Sequence, residues 1–515
     1  MHTIIHGDCL EELKKLDDNS VDAVITDPPY GLSNTKPKQV ADVLKAWVAR
    51  DTVSVPAKRG GFMGKDWDSF VPPPAVWAEC MRVLKPGGHM AVFAGARTQD
   101  LMGLSIRLAG FEIRDTLGWI YGSGFPKSMD ISKAIDKRRD EDLEPQARVA
   151  KWLVDRMAEK GMTRKNISDH FNAANVAQQW TTYWTDGAVK PRVPKWDQWQ
   201  ELKQLLGFSD ELDAEVWRLN GRKGTPGEAW EKREVVSERP AYGIGGNGIL
   251  NGHSEGATAK VTNPATSEAQ RWDGWGTALK PAIEPIILAR KPLDGTVANN
   301  VLAHGVGGLN IDACRVPTTD RWEASGVQSA PGSSLQGSAD GSLNVSVSST
   351  HEAGRFPANV LLDEHAAKEM DKQSGVGVSR ASTNRNGKDG AQATWGLGRT
   401  EDTLRGHNDS GGASRFFPVF KYQAKAPKKE RPVIEREDGT KIQHPTVKPL
   451  KLMEWLVTLI TPEGGTVLDP FAGTGTTLQA ATNKGFHPIG IEADADYIQL
   501  IHRRLEGGEQ STPSS

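Results

Sequence analysis

A chain of 515 residues has room for about two to four domains and a core of ordinary size. Its 63 basic and 65 acidic side chains nearly cancel, which neither selects nor excludes a nucleic-acid partner, because a basic face can be offset elsewhere. The three cysteines (Cys9, Cys80 and Cys314) form no CxxC pair, no apolar run reaches membrane length, and the N-terminus has no signal pattern. A soluble protein of a reducing cytoplasm, without a disulfide framework and with no metal, is the expectation.

In chain order, Cys9 to Leu16 carries apolar residues at helical spacing. Val21 to Thr26 is a short β-branched run suited to a buried parallel strand. Val76 to Leu84 reads as an amphipathic helix stopped by Lys85-Pro86-Gly87-Gly88. Met90 to Ala94 and Phe111 to Tyr121 read as further strands, and alternation of this kind implies a parallel α/β sheet.

From about Pro145 to Arg222 the sequence turns helical, charged and Trp-rich, and from about Glu238 to Ser414 it is rich in Gly, Ser and Asn. Pro285 to Lys291 and Asn359 to Leu362 are strand-like exceptions, while Ser325 to Ser349 has the composition of a mobile loop. Helix and strand return at Leu450 to Ile460, Thr466 to Leu468, Thr476 to Lys484 and Pro488 to Ile491. The two ends of the chain therefore read as halves of one α/β domain around a large insert.

Two constellations carry chemistry. Asp27-Pro28-Pro29-Tyr30 follows a buried strand, and in doubly wound sheets ligands bind beyond the carboxyl ends of strands. A base amine is a poor nucleophile because its lone pair is delocalised into the ring. The Asp27 carboxylate and the Pro28 carbonyl can accept its two N–H bonds and favour the pyramidal form, since Pro29 has no N–H to compete. Tyr30 offers a face for an extruded base. The bland alternative is a Pro-Pro turn capped by Asp.

The second constellation runs Val467-Leu468-Asp469-Pro470-Phe471-Ala472-Gly473-Thr474-Gly475-Thr476-Thr477, a strand, a glycine turn and a helix start. The glycines let backbone approach a ligand, and the helix start offers unpaired N–H groups. The third Gly of a dinucleotide fingerprint and the Gly-Lys of a P-loop are both missing. Glu492, 17 residues after Gly475, ends the next strand, placed to accept from ribose hydroxyls or simply a solvated strand-end acid.

Taken together, these residues resemble the amino-methyltransferases of DNA in their β-type order, with DPPY first, a recognition region next and the cofactor motif last. Gly7-Asp8-Cys9, Leu84-Lys85-Pro86-Gly87-Gly88 and His444-Pro445-Thr446-Val447-Lys448-Pro449 also resemble segments of that family. The resemblance covers roughly residues 1–125 and 440–506 and implies an α/β Rossmann-like methyltransferase fold. That fold is a doubly wound, mostly parallel sheet, here circularly permuted around a large helical and loop-rich insert. It implies catalytic roles for Asp27, Pro28, Pro29 and Tyr30. It further implies S-adenosylmethionine held by Asp8, Cys9, Thr446, Lys448, Asp469, Phe471, Ala472, Gly473, Gly475, Thr476 and Glu492. Asp8 would meet the cofactor's adenine amine, Thr446 and Lys448 its methionine end, and Phe471 both cofactor and base.

The implied domains are a catalytic N-terminal half over 1–136, a helical insert over 137–235 and a loop-rich recognition region over 236–425 with a sheet strand near 284–291. A cofactor-binding C-terminal half over 426–506 and a disordered tail over 507–515 complete them. Gly124-Phe125-Pro126-Lys127-Ser128 and Leu279-Lys280-Pro281-Ala282-Ile283-Glu284-Pro285 are similar to segments of phage and prophage methylases.

Within the insert, Val149 to Val154 opens a helix, Thr163 can cap a second over Arg164 to Phe171, and a third follows over Val176 to Trp184. A proline loop then leads to Trp196–Leu206, and the series resembles Cro-type helix-turn-helix domains. Gln178, Gln179, Thr181 and Thr182 would then reach base edges, with Lys151, Arg156, Arg164 and Lys165 on phosphates. A helical bundle with a Trp core is the equal alternative.

The resulting expectation is N6-methylation of adenine in double-stranded DNA, and a homodimer stays open as its assembly. N4-methylation of cytosine uses the same chemistry, although relatives acting on cytosine more often carry Ser where Asp27 stands. A non-catalytic DNA-binding regulator is the reading from a different class, and cofactor binding discriminates it.

Overall fold

The computed structural model describes residues 2–33, 35–56, 68–122, 124, 128–182, 192–240, 258–317, 354–379, 409–420, 432–436, 439, 441–442 and 447–509. The chain divides into one unit of Met1–Gly124 with Pro281–Ser515 and a second of Phe125–Lys280.

The large sheet of the first unit contains β1 (Thr3–His6), β2 (Val21–Thr26), β3 (Leu84–Phe93), β4 (Glu112–Ile120) and β5 (Ile283–Arg290). They continue with β6 (Val360–Asp363), β7 (Val419–Phe420), β8 (Thr466–Asp469) and β9 (His487–Glu492). These form one nine-stranded sheet in the order β1-β9-β8-β2-β3-β5-β4-β6-β7. Every pairing is parallel except those of β5, which runs antiparallel to both β3 and β4. The two ends of the chain are thus interleaved, with β8 of the C-terminal part hydrogen-bonded beside β2 of the N-terminal part in the register Val467↔Ala23 and Leu468↔Val24.

Burial explains the central position of β2, because all six residues of VDAVIT are buried and such a strand needs cover on both faces. The sheet's helices are α1 (Cys9–Leu13), α2 (Pro37–Val48), α3 (Pro74–Val83), α4 (Gln99–Leu108), α5 (Glu364–Ser374), α6 (Leu450–Ile460), α7 (Thr476–Asn483) and α8 (Ala495–Glu509), and α3, α4, α6 and α7 supply that cover. Val24 and Leu468 face a layer containing Trp77, Cys80, Met102 and Ile106, while Ala23, Ile25 and Val467 face Leu452, Leu456, Ala480 and Ala481. This is the doubly wound arrangement expected.

Several boundaries differ from the sequence reading. Helix α1 stops at Leu13, short of Leu16, and β3 begins at Leu84, so the Lys85-Pro86-Gly87-Gly88 segment belongs to the strand. Helix α8 continues to Glu509, through positions assigned to a disordered tail, because Ile501 and Leu505 on its inner face pack against Leu478 and Ala472. Residues 236–240 and 258–280, expected in a loop-rich region, fall in the second compact unit with the helices. The loop expected over Ser325 to Ser349 lies outside the described residues. Among the described residues no helix is long and apolar enough to cross a membrane.

In the second unit Thr163 caps the helix Arg164–His170 through a capping box with Asn166, after the longer helix Leu143–Glu159. Asn172 and Asn175 adopt φ of 46° and 62°, the left-handed region that Asn tolerates, and turn the chain into the helix Val176–Thr181. That helix ends before the expected Trp184, and residues 183–191 lie outside the described set. Trp180 and Trp199 are buried with Leu153 and Ile167, so a tryptophan core does exist. Gln178 and Gln179 are exposed. Thr181 is not available to a base edge, since it is buried, donates to the Ala177 carbonyl at 2.7 Å and accepts from Arg164 Nε at 2.8 Å. Arg164, itself exposed, spends Nε on that bond.

Candidate active site

Three turns leave the carboxyl ends of β1, β2 and β8, and the site is built on them. Their closeness follows from strand order, because β1, β9, β8 and β2 are consecutive neighbours in the sheet. The last residue of β2, Thr26, donates its buried hydroxyl to Asp469 Oδ1 at 2.7 Å. Asp469 Oδ1 also accepts from the Phe471 amide at 3.1 Å. The DPPY turn and the glycine turn are therefore stitched together one residue before Asp27.

In the DPPY turn, Pro28 is buried and Asp27 and Tyr30 are half-buried. Tyr30 donates its hydroxyl to Asp27 Oδ1 at 2.7 Å, and its carbonyl accepts from Thr98 Oγ1 at 2.6 Å. Burial first, then Asp27 and Glu284, hold the phenol well above its ordinary pKa, so it stays a donor. Gly31 follows at φ +67°, where a Cβ would lie 2.7 Å from the Val71 amide nitrogen, so only glycine fits. Its N–H donates to the buried carboxylate of Asp68 at 2.9 Å, which fixes the exit of the turn.

Lys448 joins this turn. Its ammonium lies 3.0 Å from Asp27 Oδ2, 3.3 Å from Glu284 Oε2 and 2.9 Å from the Tyr30 hydroxyl. Burial alone would lower the lysine, yet Asp27 and Glu284 overcome it and hold the ammonium above its usual range. Lys448, expected beside the cofactor's methionine end, is thus placed among the DPPY side chains. Thr446 lies outside the described residues.

The glycine turn is shaped by backbone. Gly473 and Gly475 have φ of +53° and +75°, and a Cβ on Gly475 would lie 2.9 Å from Ile501 Cγ2. Gly475 stands before α7 with no side-chain cap, so helix-start N–H groups are left for a ligand. The Ala472 amide donates to the Ile491 carbonyl at 2.9 Å, and Arg504 braces the turn by donating to the Thr474 carbonyl at 2.7 Å. Thr476 is buried at the start of the helix. Phe471 packs on Trp77 with ring centroids 6.3 Å apart.

Glu492, at the end of β9, accepts from the Gly473 amide at 2.8 Å and from the Asp494 amide at 2.9 Å. Burial pushes its carboxyl up to about 7, and burial likewise pushes Asp469 up to about 6. Beside it, β1 pairs His6 with Glu492, so Asp8 emerges at the same edge. Asp8 caps α1, its Oδ1 accepting from the Leu10 and Glu11 amides at 3.0 and 3.3 Å. Cys9 is half-buried, its thiol raised to about 12 by burial and by Asp8.

Asp68, Glu284 and Arg504 were not singled out from the sequence. Asp68 and Arg504 stand outside any motif. Glu284 lies within the Leu279–Pro285 segment but carried no signal of its own.

The sheet thus sets a DPPY turn, stitched by Thr26 and Asp469, against a glycine turn at the head of a helix. The chain belongs to the DNA methylase family of the N6/N4 class, whose model matches residues 21–235 and 259–503. It is 36% identical over 121 residues to the DNA adenine methyltransferase YhdJ of Escherichia coli (strain K12), covering 24% of this chain and 34% of that protein. It is 41% identical over 69 residues to the type II methyltransferase M2.DpnII of Streptococcus pneumoniae, covering 13% of this chain and 26% of that protein. The matched stretches thus span about a quarter to a third of these relatives. Among solved structures, the M1.HpyAVI–SAM complex aligns with 98% of this chain and 99% of its own at 12% identity and a TM-score of 0.32, a likeness too low to argue from.

Proposed function

We propose that this protein is a site-specific DNA methyltransferase acting on the N6 amine of adenine, with S-adenosylmethionine as donor and double-stranded DNA as partner. The observation that carries the reading is the Thr26–Asp469 bond of 2.7 Å, which joins an amine-accepting turn to a ligand-binding turn. The residues present fit the donor. Gly473 and Gly475 carry no side chain into the turn, α7 offers uncapped N–H groups, and the Glu492 carboxylate beside them can accept from ribose hydroxyls. Asp469, Phe471, Ala472 and Thr476 complete that cradle in this reading, with Asp8 and Cys9 at its edge and Thr446 and Lys448 toward the reacting end.

When bound, S-adenosylmethionine supplies an electrophilic methyl group on a sulfonium. The chain's part is to make the amine nucleophilic. Asp27 accepts from one amine N–H and the Pro28 carbonyl from the other, which localises the nitrogen lone pair. Buried, preoriented acceptors do this better than water, because they need no reorganisation as the nitrogen gains positive charge. In this reading the same carboxylate accepts the proton that the methylated nitrogen must lose. Tyr30 orients Asp27 through its hydroxyl. A cytoplasmic location accompanies this reading, since the DNA is there.

The test is incubation of the purified chain with isotope-labelled S-adenosylmethionine and unmethylated duplex, followed by hydrolysis and identification of the base. N6-methyladenine supports the reading. N4-methylcytosine would move it to the other amine, and no labelled base with any duplex would end it. Light scattering of the same preparation reads the assembly state.

A further inference from the structure

Both oxygens of Asp27 are engaged in the structure. Tyr30 donates to Oδ1 at 2.7 Å, and the Lys448 ammonium lies 3.0 Å from Oδ2. An N–H donor on Oδ2 stands where an amine N–H would have to arrive. The ammonium has a second carboxylate in reach, with Glu284 Oε1 and Oε2 each 3.3 Å away. It also sits 4.8 Å from the centroid of the Phe93 ring and 5.3 Å from that of Tyr30. The Lys448 side chain is 11% exposed, so bulk water does little to solvate the cation. Two carboxylates therefore share one buried ammonium, and they come from different strands. Asp27 follows β2, whereas Glu284 is on β5, the antiparallel strand wedged between β3 and β4.

We propose that Glu284 is a positioning residue that acts as the second seat of the Lys448 ammonium, taking the cation over when a target amine displaces it from Asp27. This inference rests on the methyltransferase reading above. A buried ammonium stripped of its last carboxylate is strongly disfavoured, so without Glu284 the cation would stay locked on Asp27 and compete with the amine. With Glu284 in place the cation keeps a partner throughout. Asp27 is then released to accept from the amine, while the ammonium keeps an ion-pair partner in Glu284. The Tyr30 hydroxyl, 2.9 Å from Nζ, keeps one further contact during the exchange.

The test is single-turnover methyl transfer by the full chain, with calorimetric titration of S-adenosylmethionine and thermal unfolding of each variant as controls. Glu284→Gln, nearly isosteric, should slow transfer about tenfold or more while donor affinity stays within about twofold. Glu284→Asp, which restores the charge, should recover most of the rate. In a Lys448→Met background, Glu284→Gln should cost nothing further, because the cation it seats is gone. Full-speed transfer by Glu284→Gln, or an equal cost in both backgrounds, overturns the inference. If Lys448→Met does not fold, the Glu284→Asp rescue decides, and its failure overturns the inference too. Wild-type protein inactive on every duplex would sink the functional reading, whereas an active wild type with an indifferent Glu284→Gln sinks this inference alone.

Discussion

The Thr26 hydroxyl reaches Asp469 Oδ1 at 2.7 Å across the two strands that bring the ends of the chain together. The bond lies in a region stripped of water, with Thr26 fully buried and Asp469 nearly so. In such surroundings an unmet acceptor is costly, so the pair does more than decorate the sheet. It fixes the spacing between the turn that begins at Asp27 and the turn that carries Gly473.

Thr26→Val keeps the shape and removes the donor, leaving Asp469 one bond short. The expected loss is about 1–3 kcal/mol in urea unfolding, together with slower methyl transfer, whereas Thr26→Ser should keep both close to wild type. An unchanged unfolding midpoint for Thr26→Val would show that the two turns are held by the strands alone.

Asp27→Asn keeps volume and one acceptor oxygen but removes the charge. Loss of one preoriented electrostatic group typically slows chemistry by about 10²–10³-fold, and that is the expected fall in transfer rate. Donor affinity should persist, because the glycine turn hangs from β8 and not from Asp27. Retention of more than about a tenth of the rate would remove Asp27 from the mechanism.

A pH dependence follows from Glu492. Burial raises its carboxyl from 4.5 to about 7, and that of Asp469 from 3.8 to about 6. Between those values the folded chain holds protons that the unfolded chain has released. The Glu492 share of stability is full below pH 4.5 and is lost as pH rises through 7, and the Asp469 share is full below 3.8 and is lost through 6. Denaturant unfolding of the ligand-free protein at pH 5 and at pH 8, compared with Glu492→Gln, isolates the Glu492 share. The wild type should lose more stability across that interval than the variant, and equal losses would contradict the argument.

What the sequence made legible was local. VDAVIT followed by DPPY announces a buried strand ending in a turn, because β-branched burial and two prolines are short-range signals. The strand, glycines and helix from Thr466 to Asn483 are legible for the same reason. The placement of Ile283–Arg290 between Leu84–Phe93 and Glu112–Ile120 is a long-range pairing that no local pattern encodes. Glu284 and Asp68 stayed hidden because a lone acid in sequence reads as solvated until the fold sets it against an ammonium or an amide. In the second unit, the Thr163 cap and the Asn172 turn were readable from capping and turn chemistry. The burial of Thr181 was not, because it depends on Arg164 folding back across the turn.

Gly475→Ala tests how closely the glycine turn is fitted. The residue sits at φ +75°, where an L side chain is strained by about 1–2 kcal/mol, and its Cβ would press on Ile501 at 2.9 Å. Ile501 is fully buried in α8 against Leu478 and Ala472, so it has little room to withdraw, and the backbone must move instead. Movement there carries the Gly473 amide away from Glu492, 2.8 Å distant, and disturbs the start of α7. The expected result is a lower thermal midpoint and a loss of donor binding by calorimetry of at least about tenfold, with the second unit's tryptophan core unaffected. Full donor affinity in Gly475→Ala would mean that the donor does not rest on this turn.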